Sequence, residues 1–560
     1  GNHIAYLSDQ SGEFEVYIQD QQGNSEPIQL TKDADTYKFS LEWSPDSKKI
    51  MWSDRKHRLR YVDIDSKKIT TVQTSEYGLI RAYNWSPDSK WITFAESSDN
   101  RFSKIMVYSV NNKSLHEVTD NWYDSGSPSF SNDGKYIVFV SARDFNPTYS
   151  QTEWNHAYTK MSRIYLAILS NETKSPFAPE NDTVKVETDS KVEKNKNGEK
   201  TSEKSDDKIV KIDFDGLSDR IVSLPISASN YYNVSCVGDK VYYIDYSDDR
   251  NAKLYDLEKK KETVLGKFNF GISANHNKML VVQDRKWAVI DLPTSKVTLD
   301  ETIDLSNMKV WVDYQAEWKQ IYDESWRQMR DFFYVENMHG LDWKAMHEKY
   351  AVLVPHARHR DDLTYIIGEL IGELNVGHAY VQSGDRPEPE RIQTGLLGAK
   401  ISADPSGYFK IDEILNGANW NKGLRSPLKE VGINAKPGDY IIAVDGVSTQ
   451  TTRDLFSLLV GKANKEVELT INSKPSEAGA RQVLVTPIAD ESSLYYYNWV
   501  QTNIRKVNEA TNGEVGYIHV PDMGMNGLNQ FTELFYPQLN KKGLIIDDRG
   551  NGGGNGFFLF

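Results

Sequence analysis

Over the first 300 residues apolar and polar positions alternate in short runs. Lys49-Ile50-Met51-Trp52, Trp91-Ile92-Thr93-Phe94 and Tyr136-Ile137-Val138-Phe139-Val140 are rich in β-branched and aromatic residues and read as strands. Each follows a near-identical turn: Trp43-Ser44-Pro45-Asp46-Ser47-Lys48 recurs as Trp85-Ser86-Pro87-Asp88-Ser89-Lys90 and as Phe130-Ser131-Asn132-Asp133-Gly134-Lys135, at offsets of 42 and 45 residues. A further strand follows, as in Ile105-Met106-Val107-Tyr108. This fixed period of strand, turn and strand predicts the blades of a β-propeller, whereas a β-sandwich has no reason to repeat. Six blade-like units fall near 1–33, 38–74, 80–119, 125–224, 229–266 and 268–298, so residues 1–300 are assigned to a propeller, an incomplete one if the chain enters after the first blade. From about 171 to 207 the fourth unit is interrupted by Lys, Glu, Asp, Ser and Thr with hardly an apolar residue. Such a run cannot offset its ordering entropy by burial and predicts a disordered surface loop.

Near Leu305 the period changes. Tyr314, Trp318, Tyr322, Trp326, Met329 and Phe333 recur at spacings of three and four, which predicts a helix with an aromatic core face. A second helix is expected after Leu341-Asp342-Trp343. A third runs from Asp361 and Asp362, with Leu363, Ile366, Ile367, Leu370, Ile371 and Leu374 on one face. It ends at Asn375-Val376-Gly377-His378-Ala379-Tyr380, a helical subdomain over 301–392. Residues 393–490 form another unit: strands at Ala399–Ile401, Phe409–Ile411, Val467–Ile471 and Val483–Val485, a turn-strand-turn from Lys436-Pro437-Gly438-Asp439 to Val444-Asp445-Gly446, and a helix over Thr451–Leu459. This unit resembles a PDZ domain, with Gly395-Leu396-Leu397-Gly398 at the place of the carboxylate-binding loop. Such a loop offers backbone N–H groups to a peptide C-terminus while a strand edge pairs with the peptide main chain. The remaining 491–560 is predicted to be α/β: a helix or strand with Tyr495, Tyr496 and Tyr497, the strand Val515–Val520, an amphipathic helix near Asn529–Leu539, and Leu544-Ile545-Ile546, which has the look of a buried strand.

Composition narrows the field. Hydrophobic residues make up 39% and charged residues 26% of the 560, values of a folded multidomain chain. A net charge of −14 argues against nucleic acid or an anionic membrane as partner, and the absence of an apolar run of about 18 residues argues against a membrane span. Cys236 stands alone in a strand-like segment, so no intrachain disulfide or thiolate metal cluster is expected. His3, His57, His116, His156 and His276 fall in blade segments, His347 within a helix and His519 in a strand. His356 and His359, flanked by arginines, read as a solvated turn. No metal or cofactor is expected. His378 stands out, because a position just past a helix end beside Gly377 can project into a cleft. No signal peptide opens the sequence and no Met starts it. A cytoplasmic protein is expected, or a periplasmic one if a signal peptide precedes residue 1.

At the tail, Gly550, Gly552, Gly553 and Gly554 follow Ile545-Ile546-Asp547-Asp548-Arg549. Glycines free to take φ > 0 can turn the backbone sharply and aim N–H groups at an anion, in a spacing that fits neither a phosphate loop nor a dinucleotide fingerprint. The order of propeller, histidine-ended helices, PDZ and Asp-x-Arg-x-Asn-Gly-Gly-Gly is similar to the tricorn protease family, relatives of the C-terminal-processing serine peptidases. Its most specific pieces are Tyr334-Val335-Glu336-Asn337-Met338-His339-Gly340-Leu341-Asp342-Trp343, Gly377-His378-Ala379-Tyr380, Ile212-Asp213-Phe214-Asp215-Gly216 before Arg220-Ile221-Val222, and Asp547 to Gly554. The resemblance implies a serine peptidase acting on short or unfolded peptides, with His378 as general base, Gly552 and Gly553 as oxyanion donors, and a homo-oligomeric assembly. Two departures stand beside it. Gly377 occupies the place of a serine that precedes the histidine in tricorn, and the family's nucleophilic serine and glutamate lie beyond the glycine turn, whereas the sequence stops at Phe560. The expectation is therefore a truncated α/β core that is inactive as it stands. Two alternatives remain open: the Ser-Lys dyad chemistry of C-terminal-processing peptidases, and a non-catalytic peptide-binding scaffold.

Overall fold

A computed structural model describes residues 1–32, 34–151, 155–179, 209–247, 249–382, 384–386 and 388–554. Most of the loop expected over 171–207 lies outside the described residues. The described chain divides into two compact units, Gly1–Asp385 and Arg386–Phe560. Among the described residues no helix is long and apolar enough to cross a membrane.

Among the described residues of the first unit six antiparallel sheets of three or four strands follow one another, and a two-stranded ladder, Thr148–Tyr149 with His156–Ala157, is inserted in the fourth. The first and last have three strands, His3–Ser8 to Ile28–Gln29 and Asn269–Ile272 to Lys286–Asp291, and the four between them have four. The repeated turn explains the repeat. In each copy a serine hydroxyl donates to an aspartate two residues on, Ser44 to Asp46 and Ser86 to Asp88 at 2.6 Å, Ser131 to Asp133 at 2.7 Å. The same oxygen accepts the backbone N–H that opens the next strand, from Lys49, Trp91 and Tyr136. The residue after the aspartate is left-handed at Ser47 and Ser89, and in the third copy Gly134 takes that place. A variant without the aspartate repeats the device, with Ser273 bonded to Asn275 and left-handed His276 between Asn275 and Asn277.

The first strand of each sheet lines a shared central cavity of about 1060 Å³. Side chains stitch neighbouring blades along its wall. Asn84 donates to Glu42 at 3.0 Å and accepts the Phe130 N–H, and Asn233 donates to the Phe270 carbonyl. Burial raises the Glu42 carboxyl to about 7. Between blades the core is apolar, as where Met51, Leu59, Ile92, Phe94 and Met106 meet. Cys236 sits in one such core, and burial pushes its thiol well above the ordinary range.

Among the described residues three α-helices complete this unit: α1 (Tyr314–Phe332), α2 (Trp343–Ala351) and α3 (Arg360–Gly372). Asp313 caps α1 by accepting from the Gln315 and Ala316 N–H groups. The aromatic face is core from Trp318 onward, but Tyr314, at the first position of α1, is 62% exposed. The indoles of Trp326 and Trp343 each donate to the other's carbonyl, which ties α1 to α2. His359, read above as part of a solvated turn, caps α3: its Nδ1 accepts the Asp361 N–H, while the Asp362 carboxylate accepts from Arg358 and His359. The helices rest on the first two blades through Arg327 paired with Asp9, Arg330 forked onto Glu13, and Phe332 set against Tyr37 and Phe39.

In the second unit, Ala399–Ala403, Phe409–Ile414, Tyr440–Val444, Val467–Asn472 and Arg481–Val485 form one sheet in that order, with Ala399–Ala403 at an edge. Asp445 and Gly446, both at positive φ, make the tight hairpin that Val-Asp-Gly announces. The helix expected over Thr451–Leu459 is instead two short 3₁₀ turns, Thr449–Thr451 and Leu455–Leu459. Paired threonines and the Asp454 side chain, which bonds the Phe456 N–H, interrupt an α-helix there. The tyrosine run lies on helix α4 (Ser492–Ala510), and α5 (Met525–Phe535) joins two parallel strands, Val515–His519 and Gly543–Asp547. α5 begins four residues before the expected Asn529, because the Asp522 carboxylate accepts the Gly524 and Gly527 N–H groups and nucleates its first turn. Ile545 and Ile546 are 45% and 52% exposed rather than buried, since among the described residues their strand has a neighbour on one side only.

Candidate functional site

His378 belongs to the first unit, and Gly552 and Gly553 belong to the second. Past α3 the chain turns at Asn375, which is left-handed at φ 52°, and three residues later presents His378 to solvent. The Tyr380 hydroxyl lies 3.2 Å from His378 Nδ1, with the two rings edge to face at 6.2 Å. Gly377 before it has nothing within 4 Å of where a Cβ would stand, so the corner itself is roomy. Beneath it the packing is dense, with Val376, Ala379 and Val381 against the core of Met338, Leu370 and Leu374.

The motif from Tyr334 to Trp343 contains His339, and nothing in its spacing points to a role for it. Its Nδ1 lies 3.1 Å from the Leu374 carbonyl, and its Nε2 faces the Tyr334 hydroxyl at 2.5 Å. Since a carbonyl can only accept, Nδ1 carries the proton. Met338, His339 and Gly340 are left-handed in succession at φ 48°, 58° and 80°. A run of this kind is strained for the first two and persists only where its surroundings hold it.

The glycine turn is held by a different kind of contact. Asp547, at the end of its strand, accepts from Tyr517 at 2.6 Å and from the Arg549 guanidinium, whose carbon lies 5.7 Å from the Trp499 ring. Arg549 first, and Tyr517 after it, holds the Asp547 carboxyl well below the usual carboxylate range. His519, dismissed above as an ordinary strand residue, is buried. Its Nε2 donates to the Arg549 carbonyl at 2.9 Å and its Nδ1 accepts from Tyr496 at 2.7 Å, while the edge of Trp499 packs on the ring. Burial pushes the Tyr496 hydroxyl up to about 12. Asn551 bonds the Val520 carbonyl and accepts the Gly553 N–H at 2.7 Å, and the Gly552 N–H donates to the Pro521 carbonyl at 2.9 Å. In this conformation neither glycine amide expected to face an oxyanion is available to one.

The loop Gly395–Gly398 is similarly occupied. The Gly395 and Leu396 N–H groups donate to the Leu459 and Ile488 carbonyls, and Gly398, left-handed at φ 71°, donates to Glu491 Oε1 at 2.6 Å. The loop is thereby tied to the start of α4, and burial raises the Glu491 carboxyl. Among the described residues no group of three His, Cys, Asp or Glu side chains gathers to hold a metal ion.

Three family models match the chain: the tricorn protease second beta propeller domain over residues 1–293, the tricorn protease C1 domain over 314–372, and the tricorn protease PDZ domain over 395–490. Tricorn protease homolog 1 of Streptomyces coelicolor is 31% identical over 541 residues, covering 92% of this chain and 50% of the relative. The tricorn protease homolog of Saccharolobus solfataricus is 30% identical over 531 residues, 91% of this chain and 47% of the relative. The chain thus spans about half the length of these curated relatives. The crystal structure of the tricorn protease superposes with a TM-score of 0.84 at 22% identity, over 99% of this chain and 54% of that one, a likeness of fold.

Proposed function

The chain belongs to the tricorn protease family, and from that premise we propose that it works as a serine peptidase on short or unfolded peptides, with His378 as the general base. The observation that carries this reading is the placement of His378: exposed, just beyond the rigid α3, on a corner with space around it. An imidazole so placed can take the proton of a serine hydroxyl as that oxygen attacks a peptide carbonyl, and return it to the leaving amine. The oxyanion that forms would fall to the amides of Gly552 and Gly553, which requires them to leave the Pro521 carbonyl and the Asn551 side chain. The edge strand Ala399–Ala403 offers the PDZ unit a place to pair with a peptide main chain. A homo-oligomeric assembly is part of the same proposal.

The test is hydrolysis of fluorogenic peptides by the natural gene product and by its His378→Ala variant. The proposal expects loss of kcat by about 1,000-fold or more, the size of removing an essential base. Retained turnover in the variant would favour the Ser-Lys dyad, and peptide binding without turnover in the parent would favour the scaffold.

A further inference from the structure

We propose that His339 is a positioning residue for His378, acting through the Leu374 carbonyl. This rests on the reading of His378 as the general base. The carbonyls of the last turn of α3, Leu370, Ile371 and Gly372, accept from the Glu373, Leu374 and Asn375 N–H groups, and the Leu374 carbonyl, two residues past the helix, is the last before the chain turns left-handed at Asn375 toward His378. His339 reaches this carbonyl from 35 residues away in sequence. With the backbone left-handed at Met338 and His339, Met338 enters the core that holds Leu374 while the neighbouring imidazole turns to the carbonyl.

Gly340 N–H to Asn337 and Leu341 N–H to Met338 close the turn locally, and neither bond needs an imidazole. What the imidazole adds is one directed hydrogen bond at the base of the loop that ends in His378, with Phe333 and Tyr334 edge-on to its ring to fix its plane. Tyr334 donating to Nε2 completes a chain from the Tyr334 hydroxyl through His339 to the Leu374 carbonyl, and keeps Nδ1 as the protonated nitrogen.

The geometry assigns the work to Nδ1, and this sets the experiment. An asparagine amide nitrogen stands where Nδ1 does, whereas a glutamine amide nitrogen stands where Nε2 does. Histidine Cε1 NMR of the 560-residue chain, with His378→Ala to assign the resonance, reads the His378 environment whether or not the chain turns over. His339→Ala and His339→Gln should shift and broaden the His378 signal, and His339→Asn should restore it. Peptide hydrolysis by the natural gene product should follow the same order, with kcat lowered about 10- to 100-fold in the alanine and glutamine variants, KM little changed, and the asparagine variant close to parent. Far-UV circular dichroism checks that all three fold. An unmoved His378 signal in His339→Ala, or equal behaviour of asparagine and glutamine, would overturn the proposal. Hydrolysis that survives His378→Ala would remove the base assignment instead, and leaves the NMR coupling to be judged by itself.

Discussion

The corner that carries His378 and the turn that carries Gly552 and Gly553 both leave the C-terminal end of a regular element, and they are secured by opposite means. Around the glycine turn the polar groups are committed to one another: Asp547 to Arg549 and Tyr517, His519 to the Arg549 carbonyl, Asn551 to Val520 and Gly553. Around His378 the fastening is apolar and lies beneath the backbone, in Met338, Leu374, Val376 and Ala379, with one directed bond from His339. In the role proposed for His378, a group that carries a proton back and forth gains from a side chain free to turn above a fixed base. In the role proposed for Gly552 and Gly553, a turn that meets a developing charge gains from amides set in advance, and here they are set inward.

The contrast is most easily broken at Met338. Truncating it to alanine deletes a buried thioether from beneath the corner and should lower the stability of the first unit by about 3 kcal/mol, read as a shift in urea midpoint by tryptophan fluorescence. A loss below about 1 kcal/mol would mean that polar contacts hold the corner as well.

Asp547→Asn tests the other side. It removes the charge that pairs with Arg549 and weakens the acceptor for Tyr517, and should cost the second unit about 2 kcal/mol. The same variant should raise amide exchange at Gly552 and Gly553. Unchanged exchange there would show that the turn keeps its shape without its hub.

Acid sharpens the comparison further. The folded-state pKa of Asp547 lies below the ordinary aspartate value of 3.8, with Arg549 the chief cause. Its contribution is therefore present above the unfolded value and disappears as pH falls through the folded one. The second unit should keep its glycine turn at pH 4 and loosen it progressively below, and Asp547→Asn should flatten that part of the pH profile.

How much of this could be read from the chain differs between the two regions for a physical reason. The propeller was legible because the Ser-x-Asp turn repeats a local hydrogen-bond pattern, and the unit at 268–298 was legible as well although Asn275 replaces the aspartate in its turn. The exposed corner at His378 was legible because helix ends are local too. His339 and His519 were not, since what matters in each is a partner 30 or more residues away, Leu374 or the Arg549 carbonyl. The glycine turn was legible as a turn, but the direction of its amides depends on Pro521 and Asn551, which no spacing rule reveals. Likewise Ile545 and Ile546 have the composition of a buried strand, and their exposure depends on which neighbours the sheet has.

The smallest effect falls on Tyr380. Its hydroxyl is the partner that His378 Nδ1 meets, yet its side chain is 71% exposed, so Tyr380→Phe should change stability by less than about 0.5 kcal/mol. If the corner is apolar at its base and free at its tip, losing this bond should alter the tautomer balance of His378, seen in its ring nitrogen shifts, while its backbone amide shifts stay put. Backbone shifts that move from Asn375 to Tyr380 would instead place Tyr380 among the contacts that hold the corner, and the two regions would then differ in degree rather than in kind.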